Sequence, residues 1–208
     1  KRKFEFIAKK FSVKLYVNIH KTEEPAGSGL GPLLEAREAL KVLEQKPDRP
    51  LDLEIRAINL AANLLDLCLL DSSKKVKTYV EKTYGNCFGW ATEILRSGRA
   101  LKKLQEIIKA QGGNPNVTSD KLKPGKYHFE IKAVKNGTVR TLNSKNMTLV
   151  ARILGAPLQH KSGIYLNRKI GEKVEKNGPV CTLYSENVYN LKEAKDSLVN
   201  FPLFELEP

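Results

Sequence analysis

The sequence predicts an α/β segment over residues 1–112, followed by an α+β subdomain with a β-sandwich core over residues 113–208. Three observations carry that reading. Apolar residues recur at helical spacing through most of the first half. After Pro115 the apolar period shortens to two. No internal repeat or low-complexity tract interrupts either half.

The elements follow in order. Residues 2–11 read as an amphipathic helix, with Phe4, Ile7, Ala8 and Phe11 on one buried face. Val13, Leu15, Val17 and Ile19 then alternate with Lys14, Tyr16 and Asn18, which is strand periodicity. Residues 23–32 hold Gly27, Gly29 and Gly31 and read as a loop, with Pro32 suited to open the next helix. A break at residues 46–50 separates that helix from residues 51–70, apolar over most of its circumference and therefore expected to be buried. Asp71, Ser72 and Ser73 can cap another helix that stops before Gly85. Helical spacing resumes over 88–111, broken at Ser97-Gly98.

In the second half, Tyr127, Phe129 and Ile131 alternate with His128, Glu130 and Lys132, and Asn136-Gly137 is a hairpin signal. Residues 144–154 read as a helix with Met147, Val150, Ala151 and Leu154 inward. Strands follow from Gly163 and again at Val180–Leu183, before a short helix over 190–199.

Composition narrows the function classes. Lys and Arg number 36 against 23 Asp and Glu, for a net charge of +13. The excess is spread over residues 1–21, 71–112 and 113–208, around an acidic stretch at 22–70, so no basic tail explains it. Such a balance invites a nucleic-acid reading. However, Phe4, Phe6, Phe11 and Tyr16 fit a buried face better than a stacking platform, so nucleic-acid binding is not expected. No apolar run is long enough to span a bilayer. Residues 1–11 lack a signal peptide's apolar core, and the chain begins without Met. Three widely spaced cysteines, Cys68, Cys87 and Cys181, suit a reducing compartment; Cys68 and Cys181 read as core residues and Cys87 as structural.

The candidate chemistry is sparse. His20, His128 and His160 are far apart and unpaired. Lys145, at a predicted helix start rather than a hairpin tip, makes a poor carrier lysine. The Gly-x-Gly-x-Gly loop is neither a dinucleotide fingerprint nor a P-loop. It reads either as a turn needing positive φ or as a cradle whose carbonyls, with Glu38 in the next helix, suit a hard cation. Alternatively, Glu38 pairs with Arg37 or Lys41 on the helix surface.

Three blocks carry a resemblance: PAGSGLGPLLEAREAL (residues 25–40), SGRALKKLQEIIKAQGGNP (97–115) and LGAPLQHKSGIYLNRKIGEKVEKNGPVCTLYSE (154–186). In this order they resemble the C-terminal portion of the thymidine/pyrimidine nucleoside phosphorylase family, nearest its AMP phosphorylase branch. The resemblance implies that residues 1–112 are the C-terminal part of the phosphorylase α/β domain. Residues 113–208 would be its C-terminal α+β subdomain, with a barrel-sandwich hybrid-like core. It implies a cytoplasmic, homodimeric enzyme of nucleotide metabolism. Phosphate would cleave the N-glycosidic bond of a nucleoside or nucleoside monophosphate, giving free base and a sugar 1-phosphate.

The family's phosphate loop and base-contacting residues lie upstream of Pro25, so the chain reads as a C-terminal fragment, inactive alone, with no catalytic or cofactor-binding residue to carry over. It departs from the family at residues 20–25, at Gln159-His160 and at Tyr184-Ser185. No cofactor is required. A potassium ion in the full enzyme would take the carbonyls of Ala26 and Gly29 and the Glu38 carboxylate. The alternative is a non-catalytic module that binds nucleic acid or a protein through its basic surface.

Overall fold

A computed structural model describes residues 1–19 and 21–208; the reading of His20 as an unpaired histidine lies outside the described residues. The described chain is mixed α/β, with eight α-helices and two small antiparallel sheets. Neither sheet closes into a barrel among the described residues.

Helix α1 (Arg2–Lys10) forms as its spacing predicts, but none of its residues is buried. Phe4, Phe6 and Phe11 are exposed, and so are Val13, Leu15 and Ile19 in the segment that follows. That segment carries no strand assignment over residues 13–19, which corrects both the buried face and the strand. Alternation marks a competent strand, yet a strand exists only where a neighbour completes its ladder.

Strand β1 (Gly29–Leu30) lies inside the glycine loop, and α2 (Pro32–Leu43) starts at Pro32. Helix α3 (Leu51–Leu70) spans the predicted range. Its burial does not match: only Glu54, Ile58 and Ala62 are buried, while Leu60, Leu64 and Leu70 face out with Cys68. The expected core places for this helix and for Cys68 are therefore wrong. Ser73 caps α4 (Lys74–Tyr84) by accepting from the Val76 N–H, and Gly85 ends it at φ 78°. Helices α5 (Cys87–Arg96) and α6 (Arg99–Ala110) divide at Ser97-Gly98. Val42, Ile58, Ala62, Val80, Ala91 and Leu95 form one apolar cluster among these helices.

After a short 3₁₀ turn at Ser119–Lys121 come β2 (Tyr127–Lys132), β3 (Gly137–Leu142), α7 (Ser144–Ile153), β4 (Gly163–Leu166), β5 (Lys173–Val174), β6 (Pro179–Ser185), α8 (Val188–Ser197) and β7 (Phe204–Glu207). The first sheet has the order β1-β4-β6-β2 and the second β5-β3-β7. β2 and β3 thus sit in different sheets, and Asn136-Gly137 is not a hairpin turn. A type I′ hairpin needs positive φ at both central residues, and neither Asn136 nor Gly137 has it. Instead the Asn136 side chain accepts from the Lys176 N–H at 2.7 Å and ties this bend to the turn at Lys176-Asn177.

Both sheets share a single core with α7 and α8. Met147, Val150, Leu154, Ile164, Val180, Cys181 and Leu183 are all wholly buried in it. The inward face read for α7 is correct. Strands β1 and β7 carry too few alternating residues to be seen in the sequence.

Candidate functional site

The glycine loop is built by its neighbours. β1 pairs antiparallel with β4, placing Gly29 opposite Tyr165 and Leu30 opposite Ile164. The Leu166 N–H donates to the Ser28 carbonyl at 2.8 Å, and the Leu33 N–H to the His160 carbonyl at 3.0 Å. The loop is therefore stitched to the sheet on one side and to the 159–163 segment on the other.

Two glycines in it are required. Gly27 has φ 76°, and a Cβ there would strike the Glu38 carboxylate; Gly31 has φ 123°, and a Cβ there would strike the Ser162 carbonyl. Only glycine takes both conformations at these close approaches.

Glu38 is 4% exposed and turned into the loop. Its Oε2 accepts from the Ser28 N–H at 2.8 Å and the Gly29 N–H at 2.9 Å, and its Oε1 accepts from the Ser28 N–H at 3.0 Å. The surface pairing of Glu38 with Arg37 or Lys41 is thus corrected. Lys41 pairs with Asp48, and the Arg37 guanidinium lies 5.5 Å from the Tyr165 ring centre. A carboxylate buried on backbone amides is a strong, charge-assisted arrangement, which explains why Glu38 tolerates its burial.

The other side of the loop is held by residues that sequence spacing did not single out. Asp52, in the first turn of α3, accepts from the Gly27 N–H at 3.1 Å. The Lys169 ammonium donates to the Pro25 carbonyl at 2.8 Å, to the Gly27 carbonyl, and to Asp52 Oδ2 at 3.2 Å. Glu24 accepts from the Ile170 N–H at 3.0 Å. Burial pushes the Asp52 carboxyl up, but the Gly27 N–H and the Lys169 charge outweigh it and hold the group below its ordinary range. Lys169 lies 142 to 144 residues from its loop partners, beyond the reach of any spacing rule.

The remaining candidates do not converge here. His128 lies on β2 against Tyr184, with ring centres 6.2 Å apart, and His160 is exposed. Lys145 is exposed in the first turn of α7. Burial, aided by Asp66, pushes the Cys87 thiol up to about 11, and burial alone pushes Cys181 up to about 12. Neither is a ready nucleophile, in keeping with their structural reading. No cluster of three or more His, Cys, Asp or Glu suited to a metal occurs among the described residues. Of the residues read for a potassium ion, Ala26 and Gly29 lie in the loop and the Glu38 carboxylate meets it at the Ser28 and Gly29 amides; carbonyls and a carboxylate are the donor types that a hard cation takes.

Comparison with known proteins supplies the context. Residues 138–201 match the model of the pyrimidine nucleoside phosphorylase C-terminal domain. The chain is 36% identical over 186 residues to the AMP phosphorylase of Thermofilum pendens, covering 89% of this chain and 33% of that protein. It is 33% identical over 193 residues to the AMP phosphorylase of Methanospirillum hungatei, covering 93% of this chain and 35% of that one. It is 37% identical over 175 residues to a Legionella pneumophila protein named "Putative thymidine phosphorylase", covering 84% and 31%. The chain therefore spans about a third of the length of these relatives.

Proposed function

The chain corresponds to the C-terminal portion of the thymidine/pyrimidine nucleoside phosphorylase family, and we propose that it serves a phosphorylase that cleaves an N-glycosidic bond with inorganic phosphate. The substrate is a nucleoside or nucleoside monophosphate, and the products are the free base and a sugar 1-phosphate. The observation that carries this reading is the pinned glycine loop, lying within the stretch aligned with the relatives. A loop cross-linked by Glu38, Asp52 and Lys169 is a rigid wall suited to orienting reactants, which lowers the barrier of such a displacement.

In this reading the chain contributes structure rather than chemistry, and the 208 residues alone do not turn over substrate. Residues 1–112 complete the α/β domain and residues 113–208 form the α+β subdomain, whose two sheets play the part of a barrel-sandwich-like core. The working enzyme is a cytoplasmic homodimer. A potassium ion at Ala26, Gly29 and Glu38 would add positive charge beside the phosphate-binding region.

The test is phosphate-dependent release of base from thymidine and from AMP. The 208-residue chain should release none by itself. It should support release when joined to the upstream two thirds of a relative such as the Thermofilum pendens enzyme. Release by the isolated chain sinks the structural role; no release by a folded chimera sinks the phosphorylase reading.

One observation favours a second reading. Phe4, Phe6, Phe11 and Tyr16 are exposed among basic residues, and the Lys10 ammonium lies 4.9 Å from the Phe6 ring centre. Exposed aromatics interleaved with lysines are what a single-stranded nucleic-acid site uses. Steeply salt-dependent binding of RNA, lost on removal of residues 1–19, would favour it.

A further inference from the structure

Lys169 sits in a tight turn between β4 and β5. Its backbone N–H donates to Glu172 Oε2 at 2.9 Å, and its carbonyl accepts from the Glu172 N–H at 3.1 Å. Next to it, the Ile170 N–H is held by Glu24. The turn is therefore fixed, and the side chain reaches from it to the glycine loop, only 18% exposed. An ammonium has three N–H donors and no acceptor. Here the three meet the Pro25 carbonyl, the Gly27 carbonyl and Asp52 Oδ2, so every donor is used. Asp52 also accepts from the Gly27 N–H, which closes a ring through Gly27, Asp52 and Lys169.

An ammonium group carries the charge of a potassium ion, is close to it in size, and likewise binds carbonyl oxygens. We propose that Lys169 is a tethered monovalent cation that holds the glycine loop in its working conformation, so that the loop's order does not depend on potassium. Lys169 is thus a positioning residue. It acts on Pro25 and Gly27, one side of the loop, while Glu38 holds the amides of Ser28 and Gly29 on the other. The inference rests on the glycine loop being functional, but not on phosphorolysis.

Because the reach spans different elements, removal of the ammonium should loosen the loop locally. In the Lys169→Ala chain, two loop carbonyls and Asp52 lose their shared donor. The measurement is amide hydrogen exchange at residues 27–31, made at matched ionic strength in potassium, ammonium or tetramethylammonium chloride. The wild-type chain should exchange equally in all three. Lys169→Ala should exchange about tenfold faster or more in tetramethylammonium, the scale of a lost charge-assisted bond. Potassium and ammonium should return it toward wild type, because they fit among the carbonyls and the bulkier ion does not.

Lys169→Arg keeps the charge and covers the case in which the alanine variant fails to fold; it should stay protected and insensitive to potassium. The proposal is overturned if Lys169→Ala exchanges like wild type in tetramethylammonium. Failure of both small cations to restore protection overturns it as well, and so does potassium dependence in the wild-type or arginine chain. None of these readouts involves turnover, so they stand apart from the phosphorolysis assay.

Discussion

The two apolar clusters of this molecule differ in how they are closed. Around α7, α8 and both sheets, seven large or medium residues from Met147 to Leu183 are wholly buried. In the cluster among α2 to α6 the buried residues are fewer and none is wholly buried, and α3 shows Leu51, Ile55, Leu60, Leu64 and Leu70 on its outside. A groove of about 420 Å³ opens among Val42, Leu43, Leu53, Ile58, Leu65 and Leu95. The sheet region completes its own core from its own residues. The helical region presents apolar faces that its own helices do not cover among the described residues. Helix formation and helix burial are thus separate outcomes: the first is set by local spacing, the second by what lies opposite.

The strongest test of this difference is a pair of truncations. Leu183→Ala, in the middle of β6, removes a wholly buried side chain and should cost about 3–4 kcal/mol by urea unfolding. Ile94→Ala, beside the open groove, should cost under about 1.5 kcal/mol, because little tight packing is lost there. Equal losses at the two sites would erase the contrast between the regions.

Next in size is the link between them, where α2 meets the glycine loop. Glu38→Ala leaves the Ser28 and Gly29 N–H groups without their acceptor in a buried place. The expected cost is about 2–4 kcal/mol, with faster exchange of both amides. A cost below about 1 kcal/mol would mean that the loop is held by its strand pairing alone.

The helical region has its own half-buried ion pair. Glu54 bonds to the Arg49 guanidinium and to Gln45, which hold its carboxyl below the ordinary 4.5 against the upward push of burial. Asp52 is also held low. A carboxyl with a lowered folded pKa stabilises above its unfolded value, and that stability is lost as pH falls through the folded one. Thermal unfolding should therefore be flat above about pH 5 and fall on further acidification. Arg49→Ala should lower stability near neutrality, by less than Glu38→Ala, and shrink the loss on acidification, because Glu54 then titrates nearer its unfolded value. An unchanged acid profile in that variant would show that Arg49 does not set the Glu54 ionisation.

Much of the local structure was legible because its causes are local. Ser73 caps α4, Gly85 stops it, and Ser97-Gly98 divides α5 from α6, each through groups within a few residues. The inward face of α7 follows from four apolar residues at helical spacing. What was not legible depends on partners far along the chain. Asn136-Gly137 has the composition of a hairpin, yet β2 finds β6 and β3 finds β5 and β7. Residues 13–19 have strand alternation and no assigned ladder. The candidate site divides the same way. Glu38 could be associated with the glycine loop because the two adjoin in sequence. Lys169 and Asp52 could not, since only the fold carries them to Gly27.

The smallest expected effect probes the outer face of α3 directly. Leu60 and Leu64 are each 62% exposed and line a shallow groove with Tyr16 and Val17. A side chain that stays in water gains little from folding, so Leu64→Lys should change unfolding stability by less than about 0.5 kcal/mol. Lysine also keeps the helix, since its intrinsic propensity is close to that of leucine. Self-association behaves differently, because an apolar face open to water favours contact with another apolar surface. Sedimentation velocity across a concentration series should therefore show less association for Leu64→Lys than for wild type. A stability loss above about 1.5 kcal/mol would place Leu64 in a packed interior and remove the distinction between α3 and the helices of the sheet core. If stability and association are both unchanged, the face is exposed but too broken by Asn63, Asp66 and its other polar neighbours to act as an apolar surface.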